Sequence, residues 1–505
     1  MPIKRVVAPQ IDFSGLRREL GLPDEFPAAV LVEAGEVVRE GWLPSVDRTD
    51  IAFLTVDPAG SRDLDQAMHL SRRPGGGYRV LYAIADVVSF VRPGGAVEAE
   101  SWVRGQTIYL PDGRVPLHPP VLSEEAVSLL PGGDRAAVVW TIDLDGDGET
   151  VDVRVERARV RSRAQLDYAG LQRQFDAGTA PEPIGLLPEI GELLARRATE
   201  RGAVNLPLPS QEVERDGDGW RLVLRAPLPI EEHNAQISLL TGMAAARIML
   251  DGGIGMLRTM PSPKPEAVAT LRAAAEPLGI SWPDGAPVGV VVAAVDPADP
   301  RGAAFLDQAA ELLRGAGYTA FNDAAPAENE DAAGRRRAGD QDAGEQLTGV
   351  NGAGERGRPA DVGHGGVGAP YAHVTAPLRR LADRYATETC LSLYAGSPVP
   401  DWVVSALPRL PKAMSATDRV ASAADRGAID LAEAVLLHGR VGEVFDAAVL
   451  DRDEPSAKRP AGGTIALDDP AVRAKCLGDL PLGQRVRVRL TAADPASRTV
   501  RFERT

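Results

Sequence analysis

The chain has 505 residues and a formal net charge of −15. Hydrophobic residues make up 44%, which excludes wholesale disorder and suits about three domains, or one large domain with additions. The acidic balance argues against a basic, sequence-blind nucleic-acid coat, although an enzyme can still gather a polyanion in a local basic channel. The charge is uneven. Gly439 to Thr505 holds 12 basic and 10 acidic residues, a net +2, so the other 438 residues carry −17.

No apolar run reaches the roughly 18–20 residues of a membrane span; Val288–Val295 is the longest strong one. Met1 to Asp12 shows no apolar core of a secretory signal, so none is read. Cys390 and Cys476 are too few for a disulfide framework or a four-ligand zinc site. A cytoplasmic, reducing location, no membrane partner and a monomeric state are expected.

In chain order, residues 1–49 form a short extension with helical stretches near Phe13–Leu20 and Pro27–Gly41. Ile51–Val56, Tyr78–Ala83 and Ala136–Asp143 read as strands, and Pro74-Gly75-Gly76-Gly77 as a hairpin turn. Helical spacing follows at Pro188–Arg201, Glu231–Leu250, Lys264–Pro277 and Ala303–Ala316. Strands first and helices second predict an α+β fold, a mixed sheet flanked by helices over 50–400. Residues 326–368 hold 11 glycines in 43 positions and no aromatic residue, and read as a disordered insertion. Helices return at Pro377–Ser392 and Ala416–Leu437, with 401–438 as a connecting segment. Val441–Leu450, Thr464–Leu467, Gln484–Leu490 and Thr499–Phe502 predict four strands of a small OB-type barrel over 439–505.

Two segments carry chemistry. Asp57-Pro58-Ala59-Gly60-Ser61-Arg62-Asp63-Leu64-Asp65-Gln66 follows the apolar strand Ala52–Val56. Asp63 and Asp65 are two apart and point the same way in extended chain, and a turn can fold Asp57 back to them. Three carboxylates at a strand end suit a hard divalent cation and phosphoryl chemistry. On spacing alone, a polar turn between two strands explains the same residues equally well. The second segment runs from Tyr371 through His373, Thr375 and Pro377 to Arg379, Arg380 and Asp383. Pro377 fits a first helical turn with Thr375 as its cap, which puts two arginines near a helix N-terminus, where a bound phosphate would offset the dipole. A surface arginine pair is the plainer alternative.

Together these segments resemble the ribonuclease II / ribonuclease R (RNB) family. Further matching stretches lie between them, in family order: Tyr82–Val87, Tyr109-Leu110-Pro111, Leu122–Glu125, Ser128-Leu129 and Ile230-Glu231-Glu232. The resemblance covers about residues 50–400, and the tail resembles the S1-like OB domain of that family. It implies a 3′→5′ exoribonuclease acting on single-stranded RNA and releasing nucleoside 5′-monophosphates. By position, Asp57, Asp63, Asp65 and Gln66 would hold Mg²⁺, with Mn²⁺ as a second candidate. Asp63, Asp65 and Arg379 would carry the chemistry. Tyr109, Tyr168, Arg380 and either Glu231 or Glu232 would meet RNA. The chain departs from the family pattern at Gln66, where an aspartate is usual, and at Ala376 and Leu381. Residues 1–45 also leave no room for paired cold-shock domains.

Other signals are weaker. Asp143–Gly148 imitates the start of a calcium loop but has Arg154 where glutamate is needed, and reads as a hairpin turn. The six histidines show no ligand spacing, and His373 is expected to pack rather than react.

Overall fold

A computed structural model describes residues 10–206, 208–323, 362–453 and 460–505. Two short helices come first, α1 (Ser14–Glu19) and α2 (Ala28–Glu40), where the spacing predicts them. The central sheet is built from β1 (Phe53–Asp57), β2 (Gln66–Arg72), β3 (Tyr78–Ala85), β6 (Arg135–Leu144), β7 (Thr150–Val160) and β8 (Ser162–Asp167). A separate hairpin, β4 (Ile108–Leu110) with β5 (Gly113–Val115), stands apart from it. The sheet order is β7-β6-β3-β2-β1-β8, antiparallel except for β1 against β8.

Alternation along the strands serves both faces. On β3, Val80, Tyr82 and Ile84 enter one core with Leu54, Val56, Trp140 and the helix Pro229–Gly252, through Ile230, Ile237 and Leu240. Ala83 and Ala85 enter another with Phe53, Leu64, Val30, Ala34 and Leu378. Both faces are covered, which is why β1 reads as an unbroken apolar run. The β2–β3 turn needs glycine at Gly77, where φ is +77° and a side chain would collide with the Leu144 carbonyl. Asp143–Gly148 is indeed a hairpin turn, closed by Asp145 N–H to the Glu149 carbonyl.

A long helix, Leu410–Leu437, leads to a closed five-stranded barrel in the order Val444–Asp453, Gly462–Leu467, Arg473–Leu477, Thr499–Arg504, Arg485–Asp494. The strand the sequence did not show is Arg473–Leu477. The barrel shares a single core with Ile11, Phe13 and Leu16 of the N-terminal segment, Ile108, Leu110 and Val115 of the β4–β5 hairpin, and Trp220 and Leu222 of the hairpin Ser210–Arg225. Phe13 is fully buried there. Ile11, Phe13 and Leu16 thus pack as an integral part of the second core, while α2 packs against the sheet through Val30, Ala34 and Val37.

Two expectations change. Residues 326–361 lie outside the described residues, but 362–368 are ordered: His364 pairs with Met260, and Val367 is buried. The helix expected from Pro377 starts at Leu381, and Thr375 does not cap it. Asp383 accepts from Ala376 N–H at 2.6 Å and from Arg380, which holds 376–380 in a turn ahead of the helix.

Candidate active site

The sheet register assembles the site. β1 ends at Asp57, which pairs with Asp167 at the end of β8, and Tyr168 is the next residue. β2 starts at Gln66 opposite Ile84, near the end of β3. Parallel β1–β8 and antiparallel β1–β2 pairing thus bring Asp57, Gln66 and Tyr168 to one end of the sheet.

The loop between β1 and β2 is fixed from below. Leu64 is fully buried, Asp65 is buried beside it and Asp63 is partly exposed. Ser128 Oγ accepts from Leu64 N–H at 2.9 Å and donates to the Arg62 carbonyl, and Leu129 N–H donates to the Leu64 carbonyl. Asp65 Oδ1 accepts from Leu378 N–H at 2.8 Å, and Arg379 Nε lies 3.5 Å from Asp65 Oδ2. This joins the two motifs across 313 residues.

Burial dominates the electrostatics. It pushes the Asp65 carboxyl up to about 8, against the pull of Arg379 and the Leu378 amide. Asp57 is pushed up to about 7 by burial and the nearby Asp63 charge. Asp57 Oδ2 is buried with no hydrogen-bond partner. An unpartnered buried oxygen among carboxylates held toward their neutral form is a donor set that suits a hard divalent cation. Among the described residues, no three acidic, histidine or cysteine side chains stand in a ligating arrangement. Asp63 is turned toward Arg114 and Tyr109 instead.

Tyr109 sits on the β4–β5 hairpin, 46% exposed, and donates to Asp63 Oδ2 at 3.3 Å. Tyr168 opens a helix capped by Asp167 and accepts from Asn234 Nδ2 at 3.1 Å; burial pushes its hydroxyl up to about 12. Both tyrosines feel the charge of Arg379, so they share the carboxylates' surroundings.

Other expected residues are placed differently. Gln66 Oε1 accepts from Tyr82 at 3.0 Å, and its amide nitrogen donates to the Thr375 carbonyl. Its oxygen is thus engaged with protein, where a metal contact was expected. Arg380, expected on RNA, is instead held by Asp383, which is fully buried, at 2.9 and 3.0 Å. Glu231 accepts from Leu228 N–H at 2.8 Å and pairs with Arg225, so it caps its helix. Glu232 is exposed. His373 packs between Tyr318 and Tyr371 and bonds the Tyr318 hydroxyl, as expected.

Sequence reasoning missed Asn234 and Arg114. Asn234 lies one helical turn after Glu231, and helical spacing was the signal that could have found it. Its Oδ1 is buried and unpartnered.

Residues 46–390 match the RNB domain model, and residues 443–505 match the RNase II-type exonuclease C-terminal S1 domain. The chain belongs to the RNB family. Ribonuclease R of Thermotoga maritima is 24% identical over 470 residues, covering 87% of this chain and 60% of that protein. The chain spans about a quarter of the length of the exosome complex exonucleases it matches. Its fold resembles Mycoplasma genitalium RNase R in complex with ribose methylated single-stranded RNA, with a TM-score of 0.80, 17% identity, and 98% and 77% of the two chains covered. It also resembles yeast Ssd1, described as a pseudonuclease, with a TM-score of 0.64, 16% identity, and 94% and 54% covered. Among the described residues, no helix is long and apolar enough to cross a membrane.

Proposed function

We propose that this chain is a divalent-metal-dependent exoribonuclease, which removes nucleoside 5′-monophosphates from the 3′ end of single-stranded RNA in the cytoplasm. The observation that carries the reading is the junction of the two motifs, where Leu378 N–H and Arg379 meet Asp65 beside Asp57 and Asp63. Asp57, Asp63 and Asp65 would hold the cation, Mg²⁺ first and Mn²⁺ second. The cation supplies charge that promotes ionisation of water and steadies the leaving oxygen. Arg379 neutralises charge growing on the phosphate, a role that suits a planar guanidinium. Tyr109 and Tyr168 present rings on which terminal bases stack without regard to sequence. Two free, buried cysteines suit a reducing compartment.

The test uses 5′-labelled single-stranded RNA with Mg²⁺ or Mn²⁺. A ladder shortening from the 3′ end, absent with Asp65→Asn while RNA binding persists, is expected. A second reading, an RNA-binding protein on an inactive RNB scaffold, is favoured by Gln66 in place of an aspartate and by its occupation with Tyr82. RNA binding without cleavage in either metal would decide for it.

A further inference from the structure

Asp63 differs from its two neighbours. Asp57 keeps an unpartnered buried oxygen, and Asp65 is fixed by Leu378. Asp63 is taken on both oxygens: Arg114 Nη1 lies 2.5 Å from Oδ1, and Tyr109 donates to Oδ2 at 3.3 Å. Arg114 Nη2 meanwhile holds Glu124 at 2.7 Å, and Glu124 faces Arg62 Nε at 3.8 Å. A planar guanidinium spans two carboxylates in this way through two separate nitrogens held in one rigid fork. The Arg114 and Asp63 side chains are 24% and 10% exposed, so solvent screens their pairing only in part. Gln66 brings no charge, so the charge available for a cation rests on Asp57, Asp63 and Asp65, and Arg114 already neutralises one of them.

We propose that Arg114 is a latch on Asp63. It holds this carboxylate out of a ligating arrangement with Asp57 and Asp65. When a divalent cation draws Asp63 away, Arg114 keeps Glu124 through Nη2, and its freed Nη1 donates to a phosphate oxygen of the RNA. Tyr109 rides on the same hairpin and loses its hydroxyl partner in the same exchange, so metal entry and the seating of the terminal nucleotide are coupled. No covalent bond is made or broken; the latch trades one anion for another. This inference rests on the metal-dependent reading above.

Binding of Mn²⁺ to RNA-free protein, measured by calorimetry, tests it with two variants of opposite sign. Arg114→Gln removes the latch and is expected to bind Mn²⁺ about tenfold tighter. Glu124→Gln removes the competing carboxylate, leaves Arg114 wholly to Asp63, and is expected to bind Mn²⁺ several-fold weaker. At saturating Mn²⁺, Arg114→Gln should also lose kcat on single-stranded RNA, because the released guanidinium is missing from the phosphate; a change that merely loosened the hairpin would raise KM instead. Melting curves establish that each variant is folded, and if Arg114→Gln is not, Glu124→Gln decides alone. Mn²⁺ affinity unchanged or weakened in Arg114→Gln, or unchanged or tightened in Glu124→Gln, overturns the latch. Wild-type protein that binds Mn²⁺ and degrades RNA beside an unaltered Arg114→Gln sinks the latch and spares the functional reading. Wild-type protein that binds no Mn²⁺ sinks both.

Discussion

The two sides of the candidate site are built differently. The carboxylate side grows from the sheet, and backbone hydrogen bonds together with fully buried Leu64 hold it. The Tyr109 side grows from the β4–β5 hairpin, whose apolar residues belong to the core of the barrel and the N-terminal segment, whereas Tyr168 stands at the end of the sheet with Asp57. Its tip is held by ion pairs: Arg17 with Asp112, both bonds 2.7 Å, and Arg114 with Glu124 and Asp63. Close-packed apolar contacts resist displacement, whereas partly exposed ion pairs exchange partners at little cost. The carboxylates therefore stand on the stiffer side and Tyr109 on the more adjustable one.

The largest expected break is Leu64→Ala. It should cost about 2–5 kcal/mol in chemical denaturation, because the site cannot collapse around the cavity. Turnover should fall with it, since Asp63 and Asp65 flank the residue. Full activity in a destabilised variant would show that the loop does not depend on its core.

Next is the seam of the second core. Glu433 accepts from Arg473 N–H at 2.8 Å and from Gln211 Nε2 at 2.9 Å, yet burial pushes its carboxyl up to about 7, and nearby Asp430 adds to this. A folded value raised above the ordinary one gives stability that is full at low pH and is lost as pH rises through about 7. The loss amounts to at most about 3 kcal/mol. Melting temperature should therefore fall from pH 5 to 8 in the wild type and stay flatter in Glu433→Gln, with kcat unchanged. Equal slopes would remove Glu433 from the account.

Tyr109→Ala, placed in the Asp65→Asn background, should weaken single-stranded RNA binding by about 1–3 kcal/mol in fluorescence anisotropy. The smallest effect belongs to Arg17→Ala. Loss of a partly exposed pair is worth about 0.2–1 kcal/mol, read as a few-fold rise in KM. Exchanging the charges, Arg17→Asp with Asp112→Arg, should restore it. No rescue would mean that α1 does not steady the hairpin.

Much of this was legible because the signals are local. Asp57, Asp63 and Asp65 lie close along the chain, and β1 and β3 announce themselves by apolar residues serving two covered faces. What stayed hidden depends on partners far away. β8 joins the sheet by parallel pairing with β1, and nothing near Ser162 marks it. Arg473–Leu477 buries only Ala474 and Cys476, too thin a pattern to read as a strand. The helix was expected from Pro377, whereas Asp383 reaches back to Ala376, pairs with Arg380 and delays the helix to Leu381. Arg114 gave no sign, since its meaning lies in Glu124 and Asp63 together.

The bond from Leu378 N–H to Asp65, spanning 313 residues, also sets when the site can exist. A chain emerging from the ribosome displays all three carboxylates long before Arg379 has been synthesised. Until that turn folds back, Asp65 lacks both its amide and its guanidinium. On the proposed reading, a growing chain would be inert toward the message that encodes it, and nuclease competence would arrive late and all at once.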